Sequence, residues 1–235
     1  MSFRDRLERN LGDYFARPAI GRAQLRETID NIVQKLPETV IFGGMIREFG
    51  FGNAKGFTSD IDLVSVAARP QIYEAISIYQ PSLNKFGGYR FIVNKRRFDI
   101  WSLRETWALS AGHVSGSSFE DLLKTTFFNV DAACYDVHRK QLSLLESCEY
   151  GISHRALDIN LLENPNPEGM ARRALALMLT RQLSMSKALT QFVVQTLEPA
   201  DLNWVEQRLL NKAHEFLKSE QSGVFRFDLQ QQLDA

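Results

Sequence analysis

Apolar residues recur at helical spacing twice near the start of the chain. Phe3, Leu7, Leu11, Tyr14 and Phe15 form the first stripe, and Leu25, Ile29, Ile32, Val33 and Leu36 form the second, within residues 22–36. Pro37 ends the second stripe. Thr39-Val40-Ile41-Phe42 is a β-branched run that meets Gly43-Gly44, so a strand should enter a tight turn there. Residues 45–49 read as a short helix. Gly50, Gly52 and Gly56 mark a loop that returns to a second strand at 61–66. Residues 70–79 are helical in pattern and 81–88 form a loop. A hairpin follows, with strands at 89–93 and 97–103 joined by a turn at Asn94-Lys95. In the second hairpin strand Phe98 and Ile100 alternate with Arg97, Asp99 and Trp101, which places Asp99 on the polar face. A helix is expected at 119–125 and a strand at 141–145. The apolar stretch 127–135 is β-prone but ambiguous in type.

Beyond Tyr150 the strand signals stop. Helical patterns occupy 172–183, 186–197 and 202–217, punctuated by Pro165, Pro167 and Pro199. The pattern predicts an α+β fold in two parts: residues 1–150 with a mixed sheet and flanking helices, then residues 151–235 as a small all-helical domain. No internal repeat is visible, and Gln230-Gln231-Gln232 is too short to count as low complexity.

Composition excludes more than it specifies. The 235 residues are 44% hydrophobic and 24% charged, which is ordinary globular usage. Lys plus Arg and Asp plus Glu both total 28, so bulk charge does not indicate a nucleic-acid partner. Cys134 and Cys148 lack the spacing of a zinc site or a disulfide framework. Met1-Ser2-Phe3-Arg4-Asp5-Arg6 has no apolar segment of a signal peptide, and no apolar run is long enough for a membrane span. A cytoplasmic protein with no membrane partner is the expectation.

The candidate chemistry lies in three segments: Phe42-Gly43-Gly44-Met45-Ile46-Arg47, Ser59-Asp60-Ile61-Asp62-Leu63 and Phe98-Asp99-Ile100. Period-two geometry puts Asp60 and Asp62 on one face of a strand while Ile61 and Leu63 enter the core. Two close carboxylates repel, and a divalent cation between them resolves the repulsion. Oxygen ligands suit Mg²⁺, or Mn²⁺ in its place. If the strand bearing Asp99 pairs beside the first, three carboxylates converge, enough to hold two ions for phosphoryl chemistry. Gly43 and Gly44 let backbone amides approach phosphate oxygens at the start of a helix, and Arg47 follows one turn later. Lys55 and Arg90 are weaker phosphate candidates. Each piece alone also has a structural reading: a tight turn, a solvated strand face, a local ion pair beside Arg96-Arg97. Their order along the chain favours the catalytic reading.

These residues resemble the head domain of the DNA polymerase β-like nucleotidyltransferase superfamily, and within it the bacterial CCA-adding enzyme and poly(A) polymerase family. The family's Gly-Gly-x-Val-Arg-Asp reads Gly43-Gly44-Met45-Ile46-Arg47-Glu48 here, its Asp-x-Asp matches Asp60-Ile61-Asp62, and its third carboxylate matches Asp99. A further family stretch, Arg-Arg-Asp-Phe-Thr-Ile-Asn-Ala-x-Ala-Tyr, aligns with 125–135. There Thr125, Thr126 and Phe127 replace two arginines and an aspartate, and Asp131 replaces the asparagine. The neck motif Asp-Pro-x-Arg-x-x-Arg is nearest to residues 166–172, where only Pro167 and Arg172 survive. The resemblance covers roughly residues 38–175. A second branch, the nucleotidyltransferase toxins, shares the Gly-Gly turn and a spacing like Thr58-Ser59-Asp60-Ile61-Asp62.

The resemblance implies a nucleotidyltransferase head on a mixed sheet, with Asp60, Asp62 and Asp99 as catalytic metal ligands. It implies a nucleotide site drawn from Gly43, Gly44, Arg47, Ser59, Asp131 and Arg172. The expected reaction moves a nucleoside monophosphate from an NTP to an acceptor hydroxyl, with RNA, tRNA in particular, as acceptor. Two alternatives stay open: nucleotidylation of a protein or small molecule, and a non-catalytic module that keeps the fold beside a protein partner. His113, His138, His154 and His214 are scattered and predict no metal site. Lys95-Arg96-Arg97 suits either a solvated hairpin tip or RNA phosphates. Arg172, Arg173 and Arg181 suit either a polar helix face or an extended basic surface. Trp101, Trp107 and Trp204 suit either core packing or base stacking.

Overall fold

The structure, a computed structural model, describes residues 1–16, 23–54, 57, 59–219 and 223–227. Lys55, Gly56, Thr58 and the Gln230-Gln231-Gln232 run lie outside the described residues. Two amphipathic helices, α1 (Phe3–Ala16) and α2 (Ala23–Lys35), bury the two predicted stripes. The sheet-forming region then runs β1 (Thr39–Phe42), α3 (Gly44–Gly50), β2 (Ile61–Ser65), α4 (Arg69–Ile76), β3 (Ser82–Leu83), β4 (Tyr89–Val93) and β5 (Arg96–Ser102). It continues through α5 (Trp107–Ser110), α6 (Phe119–Leu123), β6 (Ala133–Asp136) and β7 (Gln141–Leu144).

Seven strands form one sheet in the order β3-β4-β5-β2-β1-β6-β7. Every neighbouring pair is antiparallel except β2 and β5. The crossover through α4, β3 and β4 is what lets β2 and β5 run the same way. Alternation assigns the two faces of the sheet. Ile41, Leu63, Phe98 and Ile100 enter the large apolar core with α1 through α4. Val40 and Val64 enter a second, smaller core with Leu122 and Leu123 of α6, and partly buried Phe42 and Trp101 pack against it. Asp62 and Asp99 share the parity of Val64 and Trp101, so they lie on this second face.

The hairpin matches its sequence signal closely. Asn94 and Lys95 both take positive φ, 51° and 64°, as a two-residue turn of the kind that matches strand twist requires. The ambiguous stretch 127–135 divides: Asn129–Asp131 is a 3₁₀ turn and β6 begins at Ala133. The 81–88 loop contains β3, a two-residue edge strand.

The C-terminal part comprises α7 (Glu146–His154), β8 (Ala156–Leu157), α8 (Pro167–Arg181), β9 (Ser184–Met185), α9 (Lys187–Thr196) and α10 (Trp204–Lys218). It departs from an all-helical reading in one respect, the short parallel pairing of β8 with β9. Two residues carry no visible period, so only tertiary packing could produce this pair. Helix α8 also starts earlier than 172, because Asn166 caps the Gly169 amide and Pro167 takes the first position, where a missing N–H costs nothing. Residue 150 falls inside α7, and the large core includes Leu11 and Tyr135 together with Leu175 and Leu209. Among the described residues no helix is long and apolar enough to cross a membrane.

Candidate active site

Asp62 and Asp99 are direct Cα partners in the parallel pairing of β2 with β5, and Arg90 on β4 is the partner of Asp99 on its other side. Three strands therefore present a row, Asp62–Asp99–Arg90. Arg90 grips Asp99 with two hydrogen bonds, Nε to Oδ1 at 2.9 Å and Nη2 to Oδ2 at 3.0 Å. Asp60 stands just before β2, and the Arg97 Nη1 reaches its Oδ2 at 3.1 Å. The side chains of Arg90 and Arg97 are about half exposed, 46% and 49%, whereas that of Asp99 is nearly closed off at 10%.

Asp62 is the perturbed group. Burial and the neighbouring Asp99, Asp60 and Asp131 charges push its carboxyl up to about 7, against an opposing pull from Arg173. It is the aspartate for which no ion pair forms in this row, and its neighbours add repulsion.

A second cluster adjoins the first. Gly43, at φ 66° and ψ −109°, adopts a backbone conformation open to glycine, and its N–H donates to the Ala133 carbonyl at 2.9 Å. That turn starts α3, whose Arg47 and Glu48 are buried. Arg47 does not face outward towards a phosphate, as its position in the motif suggested. It points inward, donating to Asp131 and to Glu48 Oε1 at 3.3 Å. Asp131 also accepts from Arg173 Nη2 of α8 at 3.2 Å. Glu48 accepts from Arg181 Nη2 at 2.6 Å and from Asn53 at 3.0 Å. The chain of contacts is Arg181–Glu48–Arg47–Asp131–Arg173, and it ties α8 to the turn beneath the carboxylates.

Charges in this relay are matched. Burial alone would raise Asp131, yet Arg47 and Arg173 hold it below the usual carboxylate range. Burial likewise opposes ionisation of Glu48, and hydrogen bonds from Arg181 and Asn53 bring it below its ordinary value. Desolvation would lower Arg47, and the Asp131 and Glu48 charges raise it instead.

The structure brings Asp60, Asp62, Asp99, Gly43, Gly44, Arg47 and Asp131 into one neighbourhood. Ser59 is exposed at its edge, its carbonyl accepting from Arg96 Nη1 at 3.0 Å. Arg172 is not brought in: it pairs with Glu168 at 3.0 Å and with the Asp201 carbonyl at 3.0 Å. Its neighbour Arg173 takes the inward position. Arg173 and Arg181 stand on the head-facing side of α8 as ion-pair partners, not as a free basic surface. The sequence signal for them was the helical spacing from 173 to 181. Glu48 was signalled by its place in the Gly-Gly motif, where the family carries aspartate.

The donor set fits a hard divalent cation in kind: three carboxylates on one face, one of them left unstable by its neighbours. In their present arrangement, among the described residues, no three His, Cys, Asp or Glu side chains are grouped as a formed metal site. The physical reason is visible, since Arg90 holds Asp99 and Arg97 holds Asp60 where a cation would compete for them.

No protein-family model matches the sequence, and no curated protein matches it. Solved structures do match by shape. A CCA-adding enzyme in complex with CTP aligns over 91% of this chain and 51% of its own, at TM-score 0.59 and 14% identity. The Thermotoga maritima CCA-adding enzyme complexed with tRNA aligns over 89% and 49%, at 0.58 and 14%. A tRNA nucleotidyltransferase with a primer tRNA and an incoming ATP analogue aligns over 81% and 60%, at 0.54 and 16%. The chain spans about half the length of such structures. At these identities the likeness is one of fold: the chain shares the mixed sheet with flanking helices and the adjoining helical region of the aligned part of these CCA-adding enzymes.

Proposed function

We propose that this protein transfers a nucleoside monophosphate from an NTP to an acceptor hydroxyl, releasing pyrophosphate, with RNA of tRNA type as the acceptor. The observation that carries the reading is the side-by-side placement of Asp62 and Asp99 on parallel strands, with Asp60 beside them and Asp62 raised to about 7. Structures sharing the fold were solved with CTP, with tRNA and with an ATP analogue. Asp60, Asp62 and Asp99 would hold Mg²⁺ or Mn²⁺, which when bound activates the hydroxyl and neutralises the leaving phosphates. Gly44, whose added Cβ would meet nothing closer than Arg47 Nη2 at 3.8 Å, leaves room for a phosphate beside the turn. The Gly43 amide is already bonded to Ala133, so its part is to shape the turn. Arg47 and Asp131 act as positioning residues that hold Arg173 over the site. Arg90 and Arg97 would release their carboxylates and move to the triphosphate.

One observation favours a second reading. Two of the three carboxylates are already neutralised by guanidinium groups, which suits a non-catalytic module that binds a protein partner. Incubation with Mg²⁺ and each of four α-labelled NTPs, with total RNA or total cell protein as acceptor, separates these readings. Label in RNA supports the proposal, label in protein moves the acceptor class, and no label with any NTP leaves the module.

A further inference from the structure

A cavity of about 810 Å³ lies away from the carboxylate row, where the end of α7, the end of α8, β9 and residues 226–227 meet. Arg155, Arg226 and His154 line it together with an apolar wall that includes Met178 and Phe227. A second cavity, of about 290 Å³, adjoins it through Arg155 and is bounded by Arg181. Among the described lining residues of both there is no Asp or Glu.

The arginines differ from those around the relay. Arg47, Arg90, Arg97, Arg173 and Arg181 each hold a carboxylate. Arg155 and Arg226 are exposed and hold none among the described residues. Arg155 is anchored through its main chain and its side chain, which also lies over the Phe51 ring, and Arg226 is placed by the main chain beside it. Arg155 ends α7 at φ 52°, its carbonyl accepts from the Ser184 amide at 2.9 Å, and its Nη1 donates to the Arg181 carbonyl at 2.7 Å. Met185 and Phe225 exchange two main-chain hydrogen bonds of 2.8 Å, which pins Arg226 and Phe227 beside it. Two guanidinium groups with no carboxylate partner among the described residues, beside an apolar and aromatic wall, match a ligand that is anionic at one end and flat at the other.

We propose that this cavity binds a nucleotide unit, its phosphate between Arg155 and Arg226 and its base against Phe227 and Leu179. The unit is either a free nucleotide or one residue of an RNA strand. The inference goes beyond the transfer reaction and does not depend on it.

The test uses the full chain in EDTA, with a fluorescent single-stranded RNA oligonucleotide and a fluorescent ADP analogue as separate probes. Arg155→Ala with Arg226→Ala should weaken at least one probe tenfold or more. If RNA is the ligand, the log–log salt slope should also shrink by about 0.7 for each phosphate that the variant no longer neutralises. Loss for ADP identifies a free nucleotide, and loss for RNA alone identifies a strand. Because Arg155 also ends α7, Arg226→Glu is the second variant: it should keep the wild-type Tm and still weaken the same probe. Unchanged affinity in both arginine variants, or no binding by wild type at low salt, would each overturn the proposal.

Discussion

Two clusters of carboxylates and guanidinium groups lie side by side in this molecule, and they behave in opposite ways. In the relay Arg181–Glu48–Arg47–Asp131–Arg173, each buried acid has two cationic partners, and both acids are held below their ordinary ionisation range. In the row Asp60, Asp62 and Asp99, the arginines approach from the exposed side and Asp62 is left among like charges, raised to about 7. A compensated network holds the backbone of the glycine turn and the helix α8 in place. An uncompensated one stores repulsion that a cation or substrate can relieve. The contrast separates scaffold from chemistry in a region where residue types alone would not.

The largest expected effect is on turnover. Asp60→Ala with Asp62→Ala should lower Mg²⁺-dependent label transfer by on the order of a thousandfold or more. Its thermal stability in EDTA should be level with wild type or higher, and the Mg²⁺-induced rise in Tm expected of wild type should vanish. Full transfer by this variant would remove the carboxylate row from the chemistry.

Next comes the relay. Asp131→Ala leaves Arg47 buried with one partner fewer, and breaking such a pair typically costs about 3–5 kcal/mol. Urea denaturation should show that loss. A cost below about 1 kcal/mol, as for an exposed pair, would place Asp131 outside the scaffold.

The third prediction concerns pH, and its sign differs between the clusters. A raised carboxyl binds its proton more tightly in the folded state. Asp62 therefore takes stability away as pH climbs from its ordinary value of 3.8 through about 7. Asp131 and Glu48, being lowered, supply stability that is present above the ordinary carboxylate range and is lost as pH falls through their folded values. In EDTA at pH 8, Asp62→Asn should be more stable than wild type by roughly 1–2 kcal/mol, less than the full shift implies because Asp62 is only partly buried. Denaturation curves at pH 5 and pH 8 would show a clearly larger gain at the higher pH, because the penalty builds from 3.8 to about 7. An equal effect at both would mean that Asp62 is not the titrating group.

The smallest effect on stability is expected at the exposed pair. Arg90→Gln should change unfolding free energy by less than about 1 kcal/mol, since half-exposed pairs contribute little. The same variant should lower the Mg²⁺ concentration needed for the Tm rise, because Asp99 no longer has a competing guanidinium. An unchanged Mg²⁺ midpoint would show that Arg90 and the cation do not share Asp99.

Local pattern was sufficient for what local physics controls. Alternation in 97–103 placed Asp99 on the face opposite Phe98 and Ile100, Asn94-Lys95 formed the turn, and Thr39–Phe42 ran into Gly43 with the conformation glycine permits. It says nothing of a side chain's partner that lies far along the chain. Arg47 looked like a phosphate contact because its position in the motif says nothing of Asp131, 84 residues away. Arg172 was preferred to Arg173 on motif alignment, although one step along a helix turns a side chain by about 100° and decides which of the two faces the head. The β8–β9 pair left no trace, since two residues have no period to detect.

The sequence by itself determined β1, β2, β4 and β5, the glycine turn and the parity that sets Asp62 and Asp99 opposite the large core, because these follow from steric limits and the two-residue repeat of a strand. Tertiary structure decided which charges meet. Only the parallel registry of β2 with β5 puts Asp62 against Asp99, and only the docking of α8 delivers Arg173 and Arg181 to Asp131 and Glu48. Electrostatic energies depend on separation in space and on burial, and neither can be read from position along the chain.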